Sequence, residues 1–109
     1  MYPSEYTFRM YIIEKTPEFD KWLKKLKDAR AKAKILFRIQ RIEENGNFGD
    51  CEPIGQGLSE LRIHYAKGYR IYIKEVSGTI VLILNGGVKS TQPKDIEKAK
   101  LLWDKYKKK

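Results

Sequence analysis

Residues 57–92, GLSELRIHYAKGYRIYIKEVSGTIVLILNGGVKSTQ, decide the fold, because three strand-like runs follow one another there with short turns between them. Alternate residues of an extended strand share a face. In the first run, Leu61, Ile63 and Tyr65 therefore lie on one face. Glu60, Arg62 and His64 lie on the other.

The second run repeats this alternation after the turn Ala66-Lys67-Gly68, with Tyr69, Ile71 and Ile73 on its apolar face. Folded as a hairpin, the two runs gather five polar or cationic side chains on one surface: Arg62, His64, Arg70, Tyr72 and Lys74. An apolar surface lies behind them. Such a concentration of positive charge indicates that the surface binds phosphate.

Strands are predicted at residues 58–65, 69–75 and 79–85, joined at the last turn by Ser77-Gly78. The third strand is apolar at nearly every position, so it is predicted to be central and covered on both faces. Gly86-Gly87 is predicted to end it. A flexible leader within residues 1–9 runs into a first strand predicted at Phe8–Glu14.

Three helices complete the expected architecture. Thr16-Pro17-Glu18 is typical of a helix start, and the buried stripe predicted for that helix is Phe19, Trp22, Leu23 and Leu26. A second helix is predicted from Ala29 to Glu44, with Ile35, Leu36, Ile39 and Ile42 inward and Asn45-Gly46 as its stop. Residues 46–57 are predicted to be a loop. A last helix starts near Pro93, capped by Ser90-Thr91, and its predicted buried stripe is Ile96, Ala99, Leu102 or Trp103, and Tyr106. A basic tail follows at residues 107–109.

These elements predict a single α+β domain over residues 1–109, with a small twisted, mainly antiparallel sheet. The chain has 23 Lys plus Arg against 14 Asp plus Glu, a net charge of +9, which favours an anionic partner such as nucleic acid. A single cysteine, Cys51, indicates a reducing cytoplasmic setting, and a single histidine cannot build a Cys/His zinc site. We expect no metal, no cofactor and no membrane span.

The chain resembles the RelE/ParE toxin superfamily of bacterial toxin–antitoxin modules, and within it the HigB-like branch of addiction module killer proteins. Four segments carry the resemblance: TPEFDKWLKKLKD (16–28), GNFGD (46–50), GLSELRIHYAKGYRIYI (57–73) and GGVKSTQPKDIEKAK (86–100). The family often has Gly-Pro-Gly at the hairpin turn and Asp before the lysine of the last segment. This chain has Ala66-Lys67-Gly68 and Val88 at those places.

The resemblance implies a RelE-like fold, with two N-terminal helices and a C-terminal helix on the sheet. It also implies a toxin that cleaves mRNA, in many members on the ribosome. The implied partners are mRNA, the ribosome and a helix-turn-helix antitoxin of the HigA type. A ParE-like gyrase inhibitor that acts by binding and a non-catalytic RNA-binding module are the alternative functions.

Cleavage of RNA without a metal needs proton transfer to and from oxygen and stabilisation of charge on the phosphorane. The predicted catalytic residues are Arg62, His64, Arg70 and Lys89, and the predicted RNA-binding residues are Lys67, Tyr72, Lys74, Ser90 and Thr91. Arg70 is the predicted phosphate clamp, against the alternative of an ion pair with Glu60 or Glu75. As a surface residue, Arg70 is expected to contribute little to stability.

Overall fold

The computed structural model describes residues 10–108, which form a five-stranded sheet with three α-helices. In chain order the elements are β1 (Ile12–Lys15), α1 (Pro17–Lys25), α2 (Ala29–Asn45), β2 (Cys51–Gly55), β3 (Leu58–Ile63), β4 (Tyr69–Val76), β5 (Ile80–Val88), a 3₁₀ turn (Lys89–Thr91) and α3 (Gln92–Lys107). The sheet order is β1-β5-β4-β3-β2, with β1 parallel to β5 and the other pairs antiparallel. The predicted α+β class with a mainly antiparallel sheet is confirmed.

The ends of the first two helices follow from local chemistry. Thr16 caps α1: its Oγ1 accepts a hydrogen bond from the Phe19 amide at 3.0 Å and donates one to the Leu84 carbonyl of β5 at 2.5 Å. The same hydroxyl therefore starts α1 and fixes it to the central strand. Gly46 ends α2 in the left-handed conformation, at φ 66°, as the Asn45-Gly46 prediction requires.

One face of the sheet is mostly apolar and lies under α1 and α2. Its buried side chains include Phe19, Ala31, Ile35, Ile39, Ile42, Leu61, Ile63, Ile71, Ile73, Val81 and Ile83. The prediction for Leu36 was wrong, because its side chain is 43% exposed. Ile35, Ile39 and Ile42 already form the inward stripe, and the adjacent position is turned about 100° away around a helix of 3.6 residues per turn.

The opposite face is covered by α3 at one end. Buried residues of that layer are Leu58, Tyr72, Leu82 and Leu84 of the sheet with Ala99 and Leu102 of α3. Trp103 and Tyr106 pack partly buried against them, close to the stripe predicted for this helix. β5 lies between these two layers, so the prediction of a strand covered on both faces is confirmed.

Several predicted boundaries differ from the structure, and the strand predicted at residues 58–65 ends at Ile63. Residues 51–55 form the edge strand β2 instead of a loop; the prediction failed because Pro53 and Gly55 are rare in strand interiors, although proline is tolerated at a sheet edge. The predicted strand Phe8–Glu14 begins outside the described residues, and β1 covers Ile12–Lys15. The predicted leader and Lys109 also lie outside them.

Gly86-Gly87 does not end the third strand, because β5 continues to Val88. A Cβ on Gly86 would lie 2.4 Å from the Trp22 ring, and one on Gly87 would lie 1.8 Å from the Asp95 carboxylate. The two glycines therefore let α1 and α3 approach β5 from opposite faces. No helix within residues 10–108 has both the length and the apolar character needed to cross a membrane.

Candidate active site

Three rows of side chains cross the mixed face of β3, β4 and β5. At the end under α3, Leu58 pairs with Lys74 and Lys74 with Leu82. The middle row is Glu60, Tyr72 and Asn85, and the last row is Arg62, Arg70 and Gly87. The rows therefore become more polar with distance from α3. The row under α3 has two leucines and Lys74, and the last row has two arginines.

A hollow of about 590 Å³ opens beside the cationic row. We call it the basic hollow, and its polar lining side chains are Arg62, His64, Lys67, Arg70, Lys89 and Gln92. All four predicted catalytic residues line it, and so does Lys67. Residues separated by up to 27 positions in the chain are thus brought to one concave surface, which is the geometry that a ligand site needs.

Glu60 links three side chains that line the basic hollow. Its buried carboxylate accepts hydrogen bonds from Arg62 Nε at 3.1 Å, from Arg70 Nη1 at 3.2 Å and from Gln92 Nε2 at 2.7 Å. The ion pair weighed as the alternative for Arg70 is therefore present. It does not remove Arg70 from the hollow, because one carboxylate shared by two guanidinium groups leaves a positive balance.

Burial changes the expectation for Arg70. Its side chain is only 11% exposed, so it is not the surface residue that the alternation predicted. Its Nε atom is buried and makes no hydrogen bond within residues 10–108. Removing Arg70 would leave the Glu60 carboxylate with one fewer cation in a buried place, which destabilises a fold. The expectation that Arg70 is a surface residue was wrong, and we now expect its removal to lower stability.

His64 lies at the rim, where its side chain is 73% exposed. Its Nε2 forms a hydrogen bond with Asp50 Oδ2, and Asp50 comes from the loop before β2. This hydrogen bond lowers the pKa of the Asp50 carboxyl below its ordinary value, with the nearby Arg62 and Arg38 contributing in the same direction. Asp50 therefore holds the ring through Nε2, and Nδ1 makes no hydrogen bond with any residue among 10–108.

The two lysines of the basic hollow are joined through the backbone. The Lys89 amide donates to the Gly68 carbonyl at 2.8 Å, which ties the end of β5 to the β3–β4 turn that carries Lys67. In that turn Ala66 and Gly68 both have positive φ, at 50° and 75°. The two glycines before Lys89 make room for the Trp22 and Asp95 side chains, and Lys89 itself lines the hollow.

Four predicted RNA-binding residues lie elsewhere. Tyr72 is fully buried under α3 and cannot stack on a base; burial, and then the Glu60 and Asp95 carboxylates, raise its pKa. Lys74 is at the covered end, with Nζ 5.3 Å from the centre of the Trp103 ring. Ser90 and Thr91 are exposed in the 3₁₀ turn.

The predicted cap of the last helix is correct in position only. Thr91 is the N-cap residue of α3, but its side chain accepts no hydrogen bond from the helix backbone. Its Oγ1 instead lies 2.5 Å from Asp95 Oδ2 and 3.1 Å from the Val88 carbonyl. The hydroxyl is thus occupied inside the protein.

Asp50, Glu60 and Gln92 complete the site but were not among the predicted site residues. Glu60 alternates in phase with Arg62, so its presence on this face was visible in the sequence. Asp50 depends on β2 pairing with β3, which the sequence did not reveal. Residues 10–108 contain no group of three or more His, Cys, Asp or Glu side chains placed to hold a metal ion.

Other proteins are similar to this chain in sequence and in fold. Residues 21–104 match the family described as "Phage derived protein Gp49-like (DUF891)". An uncharacterised protein of Haemophilus influenzae is 54% identical over 90 residues, which are 83% of this chain and 90% of that protein. A mutant of the E. coli toxin RelE, solved in the free state, superposes with a TM-score of 0.64 at 12% identity, over 81% of this chain and 90% of that one.

The chain belongs to the Gp49-like family, a family of RelE/ParE-type toxins. The resemblance to the RelE/ParE superfamily is thereby confirmed, and the likeness to RelE shows a RelE-like fold. A protein of this family is a toxin.

Proposed function

We propose that this toxin is an endoribonuclease of a type II toxin–antitoxin module, and that it cleaves mRNA in the cytoplasm, on the ribosome, without a metal. The observation that carries the proposal is the basic hollow, where Arg62, His64 and Arg70 from one hairpin meet Lys89 from the 3₁₀ turn after β5. A toxin that acted by binding alone would need no cluster of phosphate-binding and proton-exchanging groups in one concavity.

In the proposed reaction the 2′-oxygen of a nucleotide attacks the adjacent phosphorus, and the bond to the 5′-oxygen breaks. The products are a 2′,3′-cyclic phosphate and a 5′-hydroxyl. One proton leaves the 2′-hydroxyl and one reaches the departing 5′-oxygen. Charge builds on the non-bridging oxygens between these two events, and fixed cations are the groups that stabilise it.

The residues of the basic hollow divide these tasks. Arg70, held by Glu60, presents a guanidinium of fixed orientation to the phosphate, and Arg62 is held by the same carboxylate. His64 is proposed to exchange a proton through the ring nitrogen that Asp50 leaves free. Lys89 and Lys67 add positive charge at the opposite wall. Tyr72 has no part, because its side chain is fully buried.

The test is induction of the chain in cells that lack its antitoxin. We expect incorporation of labelled amino acid to stop before incorporation of labelled thymidine, and new mRNA 5′ ends to appear inside translated frames. If thymidine incorporation stops first and mRNA ends are unchanged, the chain acts as a ParE-like gyrase inhibitor. If RNA is bound but neither process stops, it is a non-catalytic RNA-binding module.

We propose a helix-turn-helix antitoxin of the HigA type as the protein partner. A cytoplasmic nuclease with an open cationic hollow would damage its own cell unless a partner held it inactive. The net charge of +9 would accelerate association with an acidic partner, and the on-rate would fall as salt rises. Co-expression with the protein encoded next to it should give a stable complex and restore growth.

A further inference from the structure

A second hollow, of about 260 Å³, continues from the basic hollow toward α2. The two hollows share Arg62, His64 and Tyr65 as lining residues. We call the second one the helix-side groove, and α2 contributes Lys34, Phe37 and Arg38 to it. A chain seated in the basic hollow therefore has a continuous path into this groove past His64.

The α2 wall of the groove combines an exposed ring with cations. Lys34, Phe37, Arg38 and Arg41 are spaced i, i+3, i+4 and i+7, so they lie along one side of the helix. The Phe37 side chain is 57% exposed, an unusual position for a phenylalanine that neither α1 nor the sheet covers.

Each aromatic ring of the groove has a cation beside it. Lys34 Nζ lies 5.3 Å from the centre of the Tyr65 ring, and Arg41 Cζ lies 5.7 Å from the centre of the Phe37 ring. Among the described lining residues, the one carboxylate belongs to Asp50, and it is hydrogen-bonded to His64. Arg38 is held by the carbonyls of Arg62, Phe48 and Asp50, so it fixes the wall while adding charge.

The exposed Phe37 ring and the partly buried Tyr65 ring, both flanked by cations and with no free carboxylate among the described lining residues, fit a single-stranded nucleic acid better than any other polymer. Bases stack on aromatic rings, and the phosphates between them pair with lysine and arginine. An acidic peptide would satisfy the cations but has no flat group for the Phe37 ring. The continuity with the basic hollow places such a strand next to the phosphate that would be cleaved.

We infer that the helix-side groove is an RNA subsite, in which a base of a nucleotide adjoining the scissile phosphate stacks on Phe37. The inference rests on the proposed RNA cleavage in the basic hollow. It assigns α2 the task of holding the strand, while the β3–β4 hairpin acts on the phosphate.

The test measures binding of a fluorescent single-stranded 2′-O-methyl oligoribonucleotide, which lacks the hydroxyl needed for cleavage. Phe37→Ala should weaken binding roughly tenfold or more, since one base–aromatic stack is lost. Leu36→Ala is the matched control: Leu36 is the neighbouring residue, is 43% exposed and does not line the groove, so binding should stay within about twofold. Equal affinity of the Phe37→Ala variant and the wild type would overturn the subsite, as would an equal loss in both variants.

A crosslinking arm identifies the contact without relying on activity. The same oligonucleotide carrying 5-iodouridine should, on irradiation, form adducts on peptides that contain Phe37 or Tyr65. Because neither arm involves cleavage, binding through Phe37 in a chain that cleaves no RNA would support the subsite and overturn only the proposed reaction. If Phe37→Ala weakens antitoxin capture and leaves oligonucleotide binding intact, the groove belongs to the protein partner and the inference is overturned.

Discussion

The two ends of one sheet face differ in burial in this toxin, because α3 covers one end and leaves the other open. Leu58 at the covered end and Tyr72 in the middle row are buried beneath α3; at the uncovered end, Arg62 and Arg70, four and two residues away on the same strands, line the basic hollow. β3 and β4 keep the same alternation at both ends, although the pairing of β4 with β5 shifts register between Tyr72 and Ile73. The position of α3 alone decides which residues become core and which remain free to meet a ligand.

The middle row marks the boundary between the two ends. Glu60 is buried yet charged, and it joins Arg70 of the sheet to Gln92 at the start of α3. It therefore couples the packing of the helix to the orientation of the arginines. Substitutions in the covered end should lower stability first, and those in the uncovered end should lower activity first.

The largest effect is expected for Tyr72→Ala, in the part of the middle row that α3 covers. Removing a fully buried ring leaves a cavity under α3 and should cost about 4 kcal/mol of unfolding free energy. Urea denaturation followed by circular dichroism measures this loss. Tyr72→Phe is the control: it keeps the buried ring and removes only a hydroxyl close to the Glu60 carboxylate, so it should cost far less stability than Tyr72→Ala and leave cleavage unchanged. Loss of cleavage in Tyr72→Phe would show that the Tyr72 hydroxyl takes part in the reaction.

Glu60→Ala tests the boundary row. It leaves Arg70 buried without its carboxylate and should cost about 3 kcal/mol of unfolding free energy. Glu60→Gln keeps the volume and one acceptor oxygen, so it should lose less in the same denaturation experiment. Wild-type stability in Glu60→Ala would show that the shared carboxylate does not hold the two arginines.

Arg70→Ala should lower both the rate of cleavage and the stability of the fold. We expect cleavage to fall about a hundredfold, close to 3 kcal/mol of transition-state stabilisation, because a fixed phosphate contact is lost. Stability should fall as well, since Glu60 loses a partner. Arg70→Lys keeps the charge without the guanidinium fork and should lose about tenfold in rate. Single-turnover assays below the melting temperature of every variant separate the two effects.

A smaller effect is expected for Asp50→Asn at the rim. The amide cannot hold the His64 ring as a carboxylate does, so cleavage should fall about tenfold if His64 exchanges a proton. Asp50→Ser is the second variant, and it removes the carboxylate with a shorter side chain. Unchanged cleavage in both variants would remove the pair from the mechanism.

Acid stability gives Asp50 a second test. The hydrogen bond from His64 lowers the carboxyl pKa in the folded chain, so the pair stabilises the fold above the unfolded-state pKa. That stabilisation is lost as pH falls through the lower folded-state pKa. The melting-temperature difference between wild type and Asp50→Asn should therefore be steady between about pH 5 and pH 6 and should shrink below about pH 4. A difference that grows on acidification would contradict the pairing.

Local patterns predicted much of this architecture. Alternation at residues 58–76 gave the two faces of the hairpin, and the Thr16 and Gly46 signals gave the ends of two helices. The sequence also predicted Arg62, His64, Lys67, Arg70 and Lys89 as site residues, which the structure brings into one hollow.

What sequence could not supply was tertiary placement. The stripe of α3 predicted that the helix is packed, but not which end of the face it covers, because that depends on the 3₁₀ turn and on the contact that Gly87 allows with Asp95. Tyr72 was therefore assigned to RNA although it belongs to the core. Asp50 was missed for a related reason, since β2 carries helix- and strand-breaking residues and its pairing is not a local signal.

The most direct test of the central claim compares two lysines of the same face, one at each end. Lys89 lines the basic hollow, and Lys74 lies over Trp103 at the covered end. Cleavage of a reporter mRNA is followed in a reconstituted translation system with wild type, Lys89→Ala and Lys74→Ala, and the product ends are analysed chemically. We predict 2′,3′-cyclic phosphate and 5′-hydroxyl ends, a loss of about tenfold for Lys89→Ala and near wild-type cleavage for Lys74→Ala. Equal losses in the two variants, or 5′-phosphate ends, would contradict the assignment of catalysis to the uncovered end.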